Sequence, residues 1–194
     1  VVRRDVRIKA VHLRSGRSAP PAASFIKKKS RMLVNMQQKI RVGWFSFTCC
    51  EDSTIIFTEL LNTHYTEWLP RLEFVHARVL KKGDEGNMRE MDIAFVEGAI
   101  SSDIQEEKLK KIREKAKVLV VVGACAVVGA PSNQRNFFAQ ENIAEILPIL
   151  QKFKYKEKIL KVSDVVSVDE KIPGCPMNEE AFLQVMKKYL YAHH

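Results

Sequence analysis

From Lys39 onward, apolar positions fall into short strand-like runs separated by stretches with helical spacing. Residues 39–47 (KIRVGWFSF) alternate and are rich in β-branched and aromatic side chains, which predicts a first strand. Asp52 and Ser53 are N-cap types ahead of the apolar-rich 54–61, so a helix is expected there. Residues 72–80 (LEFVHARVL) alternate as a second strand, and the polar 81–90, with Gly83 and Gly86, reads as a loop. Residues 92–96 (DIAFV) form a short buried strand ended by Glu97 and Gly98. Ser102 or Asp103 should cap a charged helix to about Lys115, with Ile104, Leu109 and Ile112 on one side. The run 118–122 (VLVVV) is continuously apolar, the mark of a parallel strand covered on both faces. Residues 143–153 should be helical, 165–168 the last strand, and 179–191 a closing helix with Phe182, Val185, Met186 and Leu190 turned inward. The order β-α-β-β-α-β-α-β-α predicts an α/β fold, a flavodoxin-like doubly wound and mostly parallel sheet.

The formal charge of +9 suggests a nucleic-acid binder until the chain is divided. Residues 1–40 hold 11 Lys and Arg against the single acid Asp5, and residues 41–194 hold 21 against 22 acids. The basic character belongs to the start of the chain, and the remainder is near neutral. We therefore expect residues 1–38 to be a basic, disordered leader, or sequence upstream of a start at Met32 or Met36. Residues 39–194 are expected to form the domain. Arg3-Arg4 resembles half of a twin-arginine signal, but no apolar segment follows it. No run of 18 apolar residues occurs, so no integral membrane segment is expected; the near-neutral remainder argues against a nucleic-acid partner, and with no secretory signal seen a cytoplasmic location is expected.

Candidate chemistry lies in four cysteines. Cys49 and Cys50 follow the first predicted strand, Cys125 follows VLVVV, and Cys175 follows the last predicted strand. In a parallel sheet all carboxyl ends share one edge, the edge where ligands bind, so these residues should converge. Free buried cysteines, a zinc site and an iron–sulfur cluster all remain open on spacing alone. Adjacent cysteines strain a single zinc ion, whereas a cubane offers each neighbour its own iron corner. A secretory disulfide framework is not expected, because no signal peptide precedes the domain.

The surroundings of the cysteines resemble a known family. Residues 43–53 (GWFSFTCCEDS), 92–100 (DIAFVEGAI), 118–136 (VLVVVGACAVVGAPSNQRN) and 172–176 (IPGCP) are similar to the small subunit of [NiFe] hydrogenases. The wider family includes the cluster-bearing small subunit of respiratory complex I. The likeness covers about residues 40–190 and is nearest to short cytoplasmic hydrogenase small subunits. It implies a flavodoxin-like domain with one [4Fe–4S] cluster, held by Cys49, Cys50, Cys125 and Cys175. It also implies a [NiFe] hydrogenase large subunit as partner, where hydrogen is activated, and a further electron-transfer subunit to which electrons leave. No catalytic residue is expected on this chain. A Ser/His/Asp triad and a phosphate loop are both missing from the sequence.

One departure concerns the first loop. Hydrogenase small subunits carry C-x-x-C there, whereas this chain has tandem Cys49-Cys50 with Ser53 three residues on, the complex I arrangement. Asp52 or Ser53 could supply an oxygen ligand instead. Thiolate is the softer donor, and Ser53 is placed to cap the following helix, so both cysteines are expected to ligate. Gly123 and Gly174, with Gly43 and Gly129, are expected beside the cluster loops, and Pro173 and Pro176 to stiffen the Cys175 turn. Glu51 and Glu97 are candidates for a proton relay, or for helix capping and surface charge. His64 and His76 lie away from the cysteine loops and are expected to be satisfied or exposed histidines rather than metal ligands, and the closing His193 and His194 are expected to be remnants of an added tag. The alternatives are a complex I-like quinone-reducing module and a flavodoxin-like binding module without a cluster.

Overall fold

The structure, a computed structural model, describes residues 39–80 and 88–191. The expected leader, most of the 81–90 loop, and His193 and His194 lie outside the described residues. The elements are β1 (Ile40–Ser46), α1 (Asp52–Thr63), α2 (Tyr65–Trp68), β2 (Leu72–Ala77), β3 (Met91–Glu97) and β4 (Ile100–Ser102). There follow α3 (Asp103–Lys115), β5 (Ala116–Val122), α4 (Gly123–Val128), a 3-10 turn (Gln134–Phe137), α5 (Gln140–Lys152) and β6 (Tyr155–Leu160). A second 3-10 turn (Val162–Asp164), β7 (Glu170–Ile172) and α6 (Glu179–Tyr191) complete it.

Among the described residues, one sheet has the order β2-β1-β3-β5-β7, with every pairing parallel. This is the flavodoxin order with its switch point between β1 and β3. A separate antiparallel pair joins β4 to β6. Strand side chains alternate between two cores. Val42, Trp44, Phe95 and Val122 face α1, α2 and α6, where Phe57, Trp68 and Phe182 meet them. Phe45, Met91, Val96, Leu119 and Val121 face the other way, against Leu109 and Ile112 of α3. Both faces are therefore covered, which is why the central strands read as continuous apolar runs. Trp44 and Phe57 stack at 4.3 Å between ring centres, the middle of an aromatic cluster that includes Phe95 and Phe182.

At the amino edge, Asp92 of β3 binds its neighbours on both sides. Its carboxylate accepts the Arg41 backbone N–H at 2.9 Å and lies 2.8 Å from Lys117 Nζ. The helix expected from Ser102 is present, and the Ser102 hydroxyl accepts the Gln105 N–H at 3.3 Å.

Three expectations need correction. Residues 165–168 do not form a strand. Val165, Val166 and Val168 pack on the α3-side core, and β7 takes the sheet edge instead. Asp169 fixes that edge, accepting from Leu119 N at 2.7 Å and Arg113 Nη1 at 2.6 Å. Ile104 is 70% exposed. The inward face of α3 is Gln105, Leu109 and Ile112, spaced four and three residues apart, so Ile104 falls off it. Gly43 lies within β1, where an added Cβ would come within 2.6 Å of Met91 and Phe45. It makes room in the core rather than beside a cysteine loop. No helix of the described residues is long and apolar enough to cross a membrane.

Candidate metal centre

All four cysteines reach the carboxyl edge of the sheet and line one cleft, together with Asp52, Ser53, Glu97, Gly123, Gly174 and Pro176. Cys49 and Cys50 leave β1 through Thr48, whose backbone pairs with Ala99 in both directions at 3.0 Å. Cys125 sits in the first turn of α4, straight after β5, and is buried. Cys175 follows β7, not the expected 165–168, and is exposed, as is Cys50.

The three cysteine loops interlock through hydrogen bonds from main-chain amides. Ala124 N–H donates to Gly174 O at 2.6 Å, joining the second loop to the third. Met177 N–H donates to Ser53 Oγ at 3.2 Å, joining the third to the first. An added Cβ on Gly123 would lie 3.0 Å from the same Ser53 oxygen, so the absence of a side chain lets the loops close. Gly174 has φ +116°, and a Cβ there would meet Pro176 O at 2.5 Å. These two glycines are therefore required by geometry. Gly129 instead ends α4 in the left-handed conformation.

Ser53 is not the cap that its position implies. It lies inside α1, whose N-cap is Glu51 in the left-handed conformation with no side-chain cap bond. The capping acceptor comes from across the cleft. The Glu97 carboxylate accepts the Ser53 N–H at 3.1 Å and the Thr54 hydroxyl at 2.6 Å, and Thr54 Oγ1 accepts Trp44 Nε1–H at 2.8 Å. Burial pushes the Glu97 carboxyl above its ordinary range, against the lowering effect of these donors. Desolvation, with the Glu97 charge, raises the Cys49 thiol to about 12. Glu51 is exposed and faces a different cavity, with Ser46, His76 and Arg78. Its charge still reaches the Glu97 carboxyl and helps to raise it. His64 stacks on Trp68 and His76 on Phe45, away from the cleft.

Two residues beside the site carried no individual sequence signal. The Ser132 hydroxyl lies 3.2 Å from both Cys125 Sγ and Thr48 O. Gln105 reaches from α3 to the Thr48 and Ser101 hydroxyls, bracing the strand end that leads to Cys49.

Fold and site together define a flavodoxin-order α/β domain with a cysteine-lined carboxyl edge. The chain belongs to the family described as NADH ubiquinone oxidoreductase, 20 Kd subunit, which matches residues 49–189. The delta subunit of the NAD-reducing hydrogenase HoxS of Cupriavidus necator is 30% identical over 172 residues, 80% of each chain. The gamma subunit of the coenzyme F420 hydrogenase of Methanosarcina barkeri is 33% identical over 161 residues, 77% of this chain and 54% of that protein. The chain spans about half the length of several curated relatives of this kind. A chain in the crystal structure of NAD+-reducing [NiFe]-hydrogenase in the H2-reduced state superposes with a TM-score of 0.66 at 25% identity. That likeness covers 81% of this chain and 94% of the other.

Proposed function

We propose that this chain is the electron-transfer small subunit of a [NiFe] hydrogenase-type complex, with one [4Fe–4S] cluster held by Cys49, Cys50, Cys125 and Cys175. The observation that carries the reading is the meeting of these four thiols in one cleft at the carboxyl edge. The donor set fits a cluster better than a single ion. Adjacent Cys49 and Cys50 would have to close a tight chelate ring on a lone ion. A cluster spreads its ligation over separate irons. Bound there, it would accept and release electrons one at a time.

The chain's own residues have defined tasks in this reading. The four thiolates ligate. Gly123 and Gly174 let the loops approach closely. Ser132 is placed to donate to the Cys125 sulfur, and Glu97 holds the start of α1 and with it the Cys49-Cys50 loop. Hydrogen would be split into two protons and two electrons on a separate large subunit, with the electrons leaving to a further redox subunit.

The test is anaerobic purification of the assembled complex with iron and acid-labile sulfide analysis. About four irons on this chain are expected. Cys125→Ser and Cys175→Ser should abolish the cluster, and Cys49→Ala and Cys50→Ala should each lose or degrade it. Stoichiometric zinc without labile sulfide would overturn the reading. The tandem Cys49-Cys50 favours a second reading, a complex I-like quinone-reducing module. The sequence of the large partner separates the two: two C-x-x-C pairs mean nickel, and their absence means quinone chemistry.

A further inference from the structure

The cysteine cleft has one dry wall. Beside the two main cores, Ala99, Cys125 and Ile159 form a smaller apolar cluster, and Cys49 packs against it. Cys125 is 7% and Ile159 5% exposed, whereas Cys50 and Cys175 are open to the surface. Two of the four thiols therefore sit against hydrocarbon, and two face outward.

Ile159 is the one fully buried residue of β6, a strand otherwise at the surface. Among the described residues β6 pairs with β4 alone, through Leu160 opposite Ile100 and Tyr155 opposite Ser102. Asn136 acts on Ile159 as a second strand would. Its Oδ1 accepts the Ile159 N–H at 2.7 Å, and its Nδ2 donates to the Ile159 carbonyl at 2.8 Å. Next to it, Arg135 Nη2 donates to the Lys156 carbonyl at 2.6 Å. Ser132 and Asn136 both lie on the segment that follows Cys125. One stretch of chain thus supplies a buried thiol, the hydroxyl 3.2 Å from its sulfur, and the clamp that seats Ile159 against it. An apolar side chain fixed in this way keeps water from the thiols it covers.

We infer that Ile159, seated by Asn136, is a water-excluding lid on Cys49 and Cys125 that holds down the reduction potential of the cluster they ligate. The inference rests on the function proposed above and deepens it, since it names a residue that sets how readily electrons are accepted. Reduction adds negative charge to a group already surrounded by thiolates. Water or another hydrogen-bond donor at the sulfurs stabilises the reduced form and raises the potential, and an apolar wall does the reverse. Ile159 acts by exclusion and the Ser132 hydroxyl by donation. The two therefore work on Cys125 with opposite sign.

The test compares the purified complex as wild type, Ile159→Val, Ile159→Thr and Asn136→Ala. Val and Thr have nearly the same shape, so both variants lose the same packing and only Thr brings a hydroxyl. Iron content, an EPR-monitored redox titration, and pulsed-EPR couplings to exchangeable deuterons in D2O are measured on each. The expected result is full iron in every form and a near-wild-type midpoint for Ile159→Val. Ile159→Thr should shift the midpoint to a more positive value and strengthen the deuteron couplings. Asn136→Ala should shift it the same way, because it frees the lid and leaves the Ile159 side chain intact. That variant also decides the matter if Ile159→Thr loses iron. Equal midpoints in the Val and Thr variants would overturn the inference, since Ile159 would then only fill space. A shift to more negative values in Ile159→Thr or Asn136→Ala would overturn it too, and an unchanged midpoint in Asn136→Ala would remove the clamp from it. A wild-type complex without cluster iron would overturn the proposed function, and this inference with it, before any midpoint is read, so the two failures are told apart.

Discussion

The Glu97 carboxylate accepts the backbone N–H of Ser53 at 3.1 Å, so the first turn of α1 is capped by a residue 44 positions away in the chain. The cap ties the end of β3 to the loop that carries Cys49 and Cys50. Its second oxygen receives the Thr54 hydroxyl, which is itself bound by Trp44 of the core.

Glu97→Ala should therefore act on stability as well as on the site. It leaves a buried N–H and a buried hydroxyl without their acceptor, at a cost of about 1–3 kcal/mol. Glu97→Gln keeps one acceptor oxygen and should lose less. Urea unfolding of the two variants beside wild type measures this, and equal midpoints for Ala and wild type would contradict the capping role.

Ser53→Ala tests the altered role of Ser53. The hydroxyl accepts from Met177 N–H across two cysteine loops rather than capping its own helix. Its loss should cost about 1–2 kcal/mol through the stranded donor, with ligand thiols still in place. The expected result is a lowered urea midpoint and unchanged iron content. Loss of iron in proportion to Ser53 substitution would point instead to an oxygen ligand.

The contrast between Ser53 and Ser102 shows what the sequence could carry. Ser102 caps α3 as its position implies, because the acceptor and the amide it serves are three residues apart. Ser53 has the same local pattern, but a buried carboxylate from another strand has taken its place, and no local pattern encodes that. The central strands were legible because burial on both faces leaves a continuous apolar run. β6 was not, since YKEKIL is a charged strand in a two-stranded pair outside the main sheet. The valines of 165–168 mislead because β-branched residues serve equally well as a cover over a core. The convergence of the cysteines followed from the shared direction of the strands, whereas Ser132 and Gln105 reach the site only through tertiary contacts.

Asp92 gives a pH dependence with a definite sign. Desolvation raises its carboxyl, but hydrogen bonds from Lys117 and Arg41 outweigh it and hold the group at about 2. An unfolded Asp titrates near about 3.9, so the stabilisation is complete above about pH 4 and is lost as pH falls through the folded value. Urea midpoints between pH 6 and pH 2 should decline less steeply for Asp92→Asn than for wild type. An identical acid limb in the two proteins would count against the strand-edge pairing.

Gly174→Ala should injure the site through the backbone. The residue sits at φ +116°, and the new Cβ would lie 2.5 Å from Pro176 O and 2.8 Å from Asn178 N. Strain of this kind costs about 1–3 kcal/mol, and its relief must move the turn that presents Cys175. A lower melting temperature together with reduced iron content is the expected pair of results. Destabilisation with full iron content would show that the turn relaxes away from the cysteine.

Ser132 has one hydroxyl proton and two acceptors at equal distance, Thr48 O and Cys125 Sγ. With Cys125 as a neutral thiol, the carbonyl is the stronger acceptor. Once Cys125 ligates as a thiolate, the sulfur carries charge and the hydrogen bond to it becomes charge-assisted. The proton should then turn to sulfur. A hydrogen bond to a ligating sulfur stabilises the reduced, more negative cluster and so raises its potential. Ser132→Ala should leave the iron content unchanged and shift the midpoint of the proposed cluster to a more negative value in an EPR-monitored redox titration. Ser132→Thr, which keeps the hydroxyl, should restore most of the shift. An unchanged midpoint in the alanine variant would place the proton on Thr48 O and limit Ser132 to bracing the first cysteine loop.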